Sequence, residues 1–188
     1  TATAFGDVSS YEAMGEMAAK IAKEHGPVDI LVNCAGITRD ATFRKMTPEQ
    51  WRLVIDTNLN SVFNVTRHVV DRGWGRIVNI SSVNGIRGQF GQTNYSAAKA
   101  GILGFTKALA QEVIRKGVTV NAVSPGYVET EMVAAIREDV KQQIVAQIPA
   151  GRLGKPEEIA EMVNYLASDG AAYITGANLS INGGLHMY

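Results

Sequence analysis

Tyr95 and Lys99 are the two residues of this sequence whose types and spacing most clearly suggest chemistry. They lie four residues apart in a segment, residues 94–116, whose pattern predicts a long helix, so both side chains project from one face. The pKa of tyrosine in water is near 10, and a neighbouring ammonium that lowered it by about three units would supply roughly 4 kcal/mol. Such a pair could exchange a proton near neutral pH. Taken alone, the pair fits better a half-buried tyrosine and a solvated lysine on an amphipathic helix.

Ser82 provides a further hydroxyl upstream of this pair. It directly follows a strand-like run, and ligands of open α/β sheets bind at the carboxyl ends of the strands. A hydroxyl at that position can donate to a substrate carbonyl oxygen and hold it against the hydroxyl of Tyr95. Serine is also a common turn residue, so Ser82 indicates a site only together with Tyr95 and Lys99.

The elements that must position these residues alternate along the chain. Strand-like runs rich in β-branched residues occur at residues 1–5, 28–33, 76–81, 119–124 and 178–182. Two stretches within these runs, DILVN and RIVNIS, are almost continuously apolar, which is typical of strands covered on both faces. Strands that alternate with helices imply right-handed crossovers, so we predict an α/β fold with a doubly wound parallel sheet, formed by residues 1–188 as one domain.

Helix-start signals lie between the strand-like runs. Residues 9–12 and 47–50 each fit a capping box, the second with proline at its first helical position. Residues 156–168 carry apolar residues at helical spacing, namely Ile159, Val163 and Leu166. One face of that helix is therefore expected to contact the core.

Composition excludes several classes of protein. The 188 residues carry 18 basic and 18 acidic side chains, and this balance argues against binding nucleic acid through a basic field. Cys34 is the single cysteine, which excludes an internal disulfide, and the three histidines are too scattered for a zinc motif, so no metal is expected. No apolar run approaches the roughly 20 residues of a membrane helix. We therefore expect a soluble cytoplasmic protein that binds neither nucleic acid nor membrane.

One part of a dinucleotide-binding fold does not occur in the sequence. Such a fold normally begins with a strand, a glycine-rich turn and a helix N-terminus that receives the pyrophosphate, but these residues contain no G-x-G-x-x-G. The nearest approach, residues 73–75, precedes a strand and lacks that context. Either the protein does not bind a dinucleotide, or its first βαβ unit lies outside the 188 residues.

Six short stretches resemble the short-chain dehydrogenase/reductase family, in the family's order. They are residues 6–8, 33–36 and 56–59, Ser82, residues 95–99 and residues 125–130. The resemblance extends from Phe5 to the C-terminus and implies a Rossmann-like sheet with strand order 3-2-1-4-5-6-7, a nicotinamide cofactor and hydride transfer. It also implies that the family's first βαβ unit, and a few residues after Val70, are missing from the sequence. Cys34 stands where the family usually has a second asparagine.

The resemblance also implies roles for individual residues. The implied catalytic residues are Asn58, Ser82, Tyr95 and Lys99. The implied cofactor-binding residues are Asp7, Val8, Asn33, Ala35, Gly36, Tyr95, Lys99, Pro125, Gly126, Val128 and Thr130. The residues expected to bind substrate are Asp40, Ser82, Gln89, Phe90, Gln92, Tyr95 and Tyr127. Lys99 is expected both to lower the pKa of Tyr95 and to bind the nicotinamide ribose.

The activity implied by the resemblance is the reduction of a 3-oxoacyl thioester to the (R)-3-hydroxyacyl thioester, with NADP as the cofactor. More particular passages, at residues 73–76, 82–85, 88–95 and 182–187, favour an acyl-CoA, acetoacetyl-CoA, as the substrate. A 3-oxoacyl thioester of acyl carrier protein is the alternative. In another class, the chain would be a non-catalytic fragment or assembly subunit.

A stripe of small residues lies on the helix that carries Tyr95, at Ala97, Gly101, Gly104 and Ala108. Small side chains let another helix approach closely, and in the family the equivalent helices pack between subunits, so the resemblance implies a homotetramer. The alternative is packing against the chain's own sheet. That sheet is expected to contact the other face, namely Ile102, Phe105, Leu109 and Val113.

Overall fold

The computed structural model describes residues 2–70, 73–134 and 137–187. Four parallel strands form one sheet in the order β1-β2-β3-β4, with β1 at Ile30–Asn33, β2 at Gly75–Ile80, β3 at Val118–Pro125 and β4 at Asn178–Ile181. Each strand pairs with the next one along the chain. The predicted parallel sheet is confirmed, and this order is the one that the resemblance implies for the family's last four strands.

The strand expected at the N-terminus is not formed. Residues 2–5 have no strand conformation and Phe5 is 94% exposed, while Thr1 lies outside the described residues. A strand is stabilised by hydrogen bonds to a neighbouring strand, and within the described residues none lies beside this segment. β1 is therefore an edge of the described sheet, and its Ile30 and Val32 are 46% and 41% exposed.

Helices connect the strands. The α-helices are α1 at Tyr11–His25, α2 at Pro48–Ile55, α3 at Ser61–Thr66, α4 at Val83–Arg87, α5 at Thr93–Val113, α6 at Glu131–Ala134, α7 at Glu138–Gln147 and α8 at Pro156–Ala167. A π-helical turn, Asp56–Asn60, joins α2 to α3, and 3₁₀ turns lie at Ile114–Lys116 and Asp169–Ala171. The helices predicted at residues 94–116 and 156–168 are confirmed. In the described ranges, no helix is long and apolar enough to cross a membrane.

The predicted caps are confirmed at Thr47 and shifted by one residue at Ser9. The Thr47 side chain accepts from the Gln50 backbone N–H at 3.2 Å, and the Gln50 side chain accepts from the Thr47 backbone N–H at 2.9 Å. At α1 the capping residue is Ser10, whose hydroxyl oxygen accepts a backbone N–H of the first turn at 3.2 Å. Ser9 instead donates its own N–H and hydroxyl to the Asp7 carboxylate, at 2.9 and 2.7 Å.

β2 is covered on both faces, as its apolar run predicted, whereas in β1, the other such run, Ile30 and Val32 remain exposed. Successive side chains of a strand point to opposite faces, so β2 directs Ile77 to one face and Val78 to the other. Ile77 packs with Ala110 and Val113 of α5, whereas Val78 packs with Leu166 of α8. This packing holds α5 across the sheet, with its N-terminus at the carboxyl end of β2.

Candidate active site

A cavity of about 880 Å³ lies at the carboxyl ends of β1, β2 and β3, the edge where ligands of such sheets bind. Of the residues that the sequence predicted for a site, it is lined by Gly36, Asp40, Ser82, Gln92, Tyr95, Lys99, Pro125, Gly126, Tyr127, Val128 and Thr130. Cys34, the residue that departs from the family pattern, also lines it. The structure therefore brings members of the catalytic, cofactor and substrate groups to one cavity.

Ser82 and Tyr95 meet in this cavity. Ser82 caps α4, because its hydroxyl oxygen accepts from the Asn84 backbone N–H at 3.1 Å, and it also hydrogen-bonds to the Tyr95 side chain. Burial raises the pKa of Tyr95 above its ordinary value of 10.0, the Ser82 hydrogen bond partly opposes that rise, and the Asp40 carboxylate adds to it. Tyr95 is therefore protonated at neutral pH, the form that can donate a proton.

Lys99 is held at the end of β2, beside Tyr95. The residue is 3% exposed, its Nζ donates to the Ile80 carbonyl at 2.8 Å, and Nζ lies 5.7 Å from the centre of the Tyr95 ring. Burial lowers the pKa of Lys99 to about 8. The sequence predicted that Lys99 would lower the pKa of Tyr95, but that pKa is raised and the contact that lowers it comes from Ser82. The reason is that both side chains are buried and the ammonium is directed at Ile80.

Asn58 anchors the loop that follows β1. It lies in the π-helical turn and is fully buried, and its Oδ1 accepts from the Ile37 N–H at 2.8 Å while its Nδ2 donates to the Ile37 carbonyl at 2.9 Å. A Cβ on Gly36 would lie 3.5 Å from both Asn58 Oδ1 and Lys99 Nζ. The Asn58 amide oxygen and the Lys99 ammonium therefore converge beside Gly36, which has no side chain to fill the space between them. π-Helical turns are frequent at functional sites, and here one places Asn58.

A chain of three side chains crosses the mouth of the cavity. Gln92, which precedes α5, donates to the Asp40 carboxylate at 2.8 Å and accepts from the Asn84 side-chain amide at 3.0 Å. Asp40 follows β1 and Asn84 lies in α4, so the bridge fixes these two elements relative to each other. The orientation of the Gln92 amide is thereby set, because both of its ends are engaged.

Sequence reasoning missed Asn94 and Asn84. Asn94 is fully buried; its side chain donates to the Arg39 carbonyl at 3.0 Å and accepts from the Tyr95 backbone N–H at 2.8 Å. It therefore ties the loop after β1 to the first turn of the helix that carries Tyr95. The available signal was its position: asparagine favours caps and turns, and this one directly precedes the tyrosine.

The loop after β3 forms another wall of the cavity. A Cβ on Gly126 would lie 2.9 Å from the Cα and Cβ of Asn182, so the close approach of these segments requires glycine there. The Gly126 N–H donates to the Ile181 carbonyl at 2.8 Å, and the Gly154 N–H donates to the Tyr127 carbonyl at 2.9 Å. Backbone contacts on both sides therefore fix this loop.

Known proteins resemble this chain over nearly its whole length. A family model described as enoyl-(acyl carrier protein) reductase matches residues 2–186. Nodulation protein G of Azospirillum brasilense is 62% identical over 185 residues, 96% of this chain and 75% of that protein. The acetoacetyl-CoA reductase of Cupriavidus necator is 61% identical over 186 residues, 97% of this chain and 76% of that protein. The 3-oxoacyl-[acyl-carrier-protein] reductase of Escherichia coli is 52% identical over 185 residues, with shares of 96% and 75%.

The chain belongs to the short-chain dehydrogenase/reductase family. Membership implies an oxidoreductase with a nicotinamide cofactor, and the cavity residues fit the nicotinamide ribose. Lys99 Nζ uses one of its three donors on Ile80, which leaves two for hydroxyl groups. Glycine at position 36 leaves open the space beside Asn58 and Lys99 that a Cβ would fill. The fit concerns this end of the cofactor, because the sequence holds no glycine-rich turn for the pyrophosphate.

The remaining predicted residues of this short-chain dehydrogenase/reductase lie away from the cavity lining in the described part of the chain. They are Asp7, Val8, Asn33, Ala35, Asn58, Gln89 and Phe90. Asn33 donates to Asn79 Oδ1 at 2.8 Å and to Thr66 at 3.1 Å, so its side chain joins β1 to β2 and α3. The Val8 carbonyl accepts from the Asn64 side chain at 3.0 Å. Phe90 is 87% exposed.

Proposed function

We propose that this protein reduces acetoacetyl-CoA to (R)-3-hydroxybutyryl-CoA with NADPH, the reaction that supplies the monomer for polyhydroxybutyrate synthesis. The observation that carries the proposal is that Ser82, Tyr95 and Lys99 line one cavity at the carboxyl end of β2. Relatives named acetoacetyl-CoA reductase are about 60% identical, against 52% for the 3-oxoacyl-[acyl-carrier-protein] reductase of Escherichia coli. That difference supports CoA as the carrier.

Two hydroxyl groups act on one substrate oxygen in this reaction. The Ser82 hydroxyl donates to the ketone oxygen and holds it against the Tyr95 hydroxyl, which transfers its proton as negative charge develops there. The raised pKa of Tyr95 keeps it protonated until that charge appears. When bound, the reduced nicotinamide supplies the hydride for the ketone carbon. Once the product oxygen has taken the Tyr95 proton, the single O–H of Ser82 can turn to the Tyr95 phenolate and stabilise it.

Lys99 returns a proton to Tyr95. Its pKa of about 8 means that it carries a proton at neutral pH and can release it after Tyr95 has lost its own. Asn58, whose amide oxygen converges with Lys99 Nζ at Gly36, supports this relay. Lys99 also donates to the nicotinamide ribose hydroxyls, so it serves both the proton path and the cofactor.

Different walls of the cavity hold the cofactor and the acyl group. On the cofactor side, we assign Gly36 and the loop residues Pro125, Gly126, Val128 and Thr130. Asp7, Val8, Asn33 and Ala35, which lie outside this cavity lining, are assigned to the adenosine side. On the substrate side, Asp40, Gln92 and Tyr127 line the acyl site. Gln89 and Phe90, in the loop between α4 and α5 and outside the cavity lining, are assigned to contact with the acyl chain.

We further propose a cytoplasmic homotetramer in which residues 1–188 form one catalytic domain. On α5, Ala97, Gly104 and Ala108 are exposed, and no described atom lies within 4 Å of the position of a Cβ on Gly104. The adjacent helices expose Trp51 and Phe63, 39% and 51% respectively. Exposed apolar and small residues on neighbouring helices favour a subunit contact. Gly104→Leu should then shift the protein to smaller species in light scattering while its circular dichroism is retained.

The test of function is NADPH oxidation by the purified protein, with acetoacetyl-CoA and acetoacetyl-[acyl-carrier-protein] side by side and NADH as the alternative reductant. We expect the highest kcat/KM with acetoacetyl-CoA and NADPH. A much higher kcat/KM for the carrier-protein thioester would overturn the substrate and leave the reaction class standing. No oxidation with either thioester would favour a non-catalytic subunit.

A further inference from the structure

Lys99 is held at both of its ends by the end of one strand. Its Nζ donates to the carbonyl of Ile80, the last residue of β2, at 2.8 Å. Its backbone carbonyl accepts from the hydroxyl of Ser81, the next residue, at 2.7 Å. Ser81 and Lys99 are each 3% exposed. Adjacent residues of the strand end therefore fix the head and the backbone of the same lysine.

Close packing against α4 also restricts α5 at Lys99. A Cβ on Gly85 in α4 would lie 2.8 Å from the Lys99 carbonyl carbon and Cβ, and 2.9 Å from the Ala100 nitrogen. Real Cβ atoms do not approach backbone so closely, so α4 contacts the α5 backbone directly at Lys99. The Ser81 hydrogen bond is therefore made where α5 cannot move toward α4, and it opposes movement away from the strand.

We propose that Ser81 is a positioning residue of the active site: its hydroxyl fixes the Lys99 backbone so that the ammonium stays on the Ile80 carbonyl beside Tyr95. A carbonyl has two lone pairs, so the Lys99 carbonyl can accept from Ser81 in addition to its helical bond. Ser81 lines the same cavity, but its hydroxyl is engaged by the Lys99 carbonyl, so its role is exerted through Lys99. The contribution to rate rests on the proposed reductase activity, whereas the placement of Lys99 does not.

The first experiment measures the placement of Lys99 without turnover. Wild type and Ser81→Ala are treated with acetic anhydride at pH 8, and the acetylation rate of Lys99 is compared by mass spectrometry with that of Lys107, an exposed lysine of the same helix. Local opening of the Lys99 site should raise the Lys99 to Lys107 ratio about three-fold or more in Ser81→Ala. An unchanged ratio overturns the proposal, because a merely structural serine would lower stability and leave Lys99 buried.

Ser96→Ala is the matched control. Ser96 lies on α5, the helix that carries Lys99, and its buried hydroxyl has no hydrogen-bond partner among the described residues. Its removal deletes a buried hydroxyl without touching the Lys99 carbonyl, so the Lys99 to Lys107 ratio should stay at the wild-type value. An increase in the ratio equal to that in Ser81→Ala would show that the loss of any buried hydroxyl near Lys99 loosens this lysine. That result would remove the specific role of Ser81.

The second experiment tests the path through Lys99 with a double-mutant cycle. Ser81→Ala should lower kcat/KM for the thioester about five- to thirty-fold in the wild type and less than about two-fold in Lys99→Met. The midpoint of urea unfolding should fall in both backgrounds, because the backbone carbonyl at position 99 remains. If Ser81→Ala lowers kcat/KM equally in both backgrounds, the proposal that Ser81 supports the reaction rate through Lys99 is overturned. Absence of reductase activity in the wild type contradicts the proposed function instead, and the acetylation ratio still tests the placement.

Discussion

The first two turns of α5, residues 93–99, and the remainder of the helix, residues 100–113, are buried by different means. In the first two turns, the buried groups include Asn94 and Lys99, which bond to the carbonyls of Arg39 and Ile80. In the remainder, Ile102 is 1% exposed and is simply packed. An apolar side chain needs only to be surrounded, whereas a buried polar group needs a partner in the right direction. The chemistry therefore lies where the fold offers such partners.

Those partners come from the ends of the strands. Within a sheet, the backbone carbonyls are used by the neighbouring strands, but beyond the last pair they become available to side chains. The Ile80 carbonyl at the end of β2 accepts from Lys99, and the Ser81 hydroxyl beside it reaches the Lys99 carbonyl. One helix can thus carry a proton-transfer pair at its start and core residues further along.

Tyr95→Phe should have the largest effect, and it changes only the first two turns of α5. The change removes the proposed proton donor and keeps the ring, so kcat should fall by about 10² to 10⁴. The cofactor affinity and the urea midpoint should stay close to the wild-type values. Retention of more than a tenth of the wild-type kcat in the NADPH assay would show that another group supplies the proton.

Ile102→Ala should destabilise the remainder of α5, residues 100–113, and spare the chemistry. Removal of a fully buried isoleucine side chain leaves a cavity, so the free energy of unfolding should fall by about 2–5 kcal/mol. The kcat per folded molecule should remain within about two-fold of the wild type, because Ile102 is not among the described residues that line the cavity. Leu109→Ala, at a half-buried position of the same helix, is the control and should cost less. A large loss of kcat in folded Ile102→Ala would contradict the separation of the first two turns from the remainder of the helix.

The remainder of α5, residues 100–113, also shows what sequence can predict about the fold. The apolar period predicted a sheet-facing side with Ile102, Phe105, Leu109 and Val113, and the structure buries Ile102 and Val113. Phe105 and Leu109 are only partly buried, and Thr106 and Ala110 are buried instead. Small residues let the helix approach the sheet, and the Thr106 hydroxyl accepts from Asn79 at 2.9 Å. The helical spacing of the apolar residues in α5 was predictable from the sequence. The burial of Thr106 was not, because a buried threonine needs a partner from a distant strand that no local pattern reveals.

For the site, the sequence identified the side chains and missed what holds them. Ser82, Tyr95 and Lys99 were predicted together and line one cavity. The partner of Lys99 is the backbone carbonyl of Ile80, which every residue type would provide, so no motif could reveal it. The direction of the Tyr95 pKa shift was also beyond reach, because burial in the folded chain is its largest cause.

The pH dependence of stability should differ between the wild type and Lys99→Met. Burial lowers the pKa of Lys99 from 10.5 to about 8, so between these values the unfolded chain binds a proton that the folded chain does not. Stability should therefore rise with pH across this window, by about 3 kcal/mol at most. Urea unfolding at pH 7.5 and pH 10 should show a larger rise for the wild type than for Lys99→Met. The same pH dependence in both proteins would mean that Lys99 titrates normally.

Gly104→Ala and Gly101→Ala should have the smallest effects, and they test what covers the outer side of α5. Alanine in place of a helical glycine stabilises a helix by about 0.5–1 kcal/mol where space allows. No described atom lies within 4 Å of a Cβ on Gly104, whereas a Cβ on Gly101 would lie 2.8 Å from Leu59 Cδ2. Gly104→Ala should therefore raise the free energy of unfolding of a dissociated chain more than Gly101→Ala does, because Leu59 must shift in the second variant. If a partner helix packs on Gly104, the added methyl should also weaken association in sedimentation at low protein concentration. Stabilisation with unchanged association would place the subunit contact elsewhere and leave this side of α5 open to water.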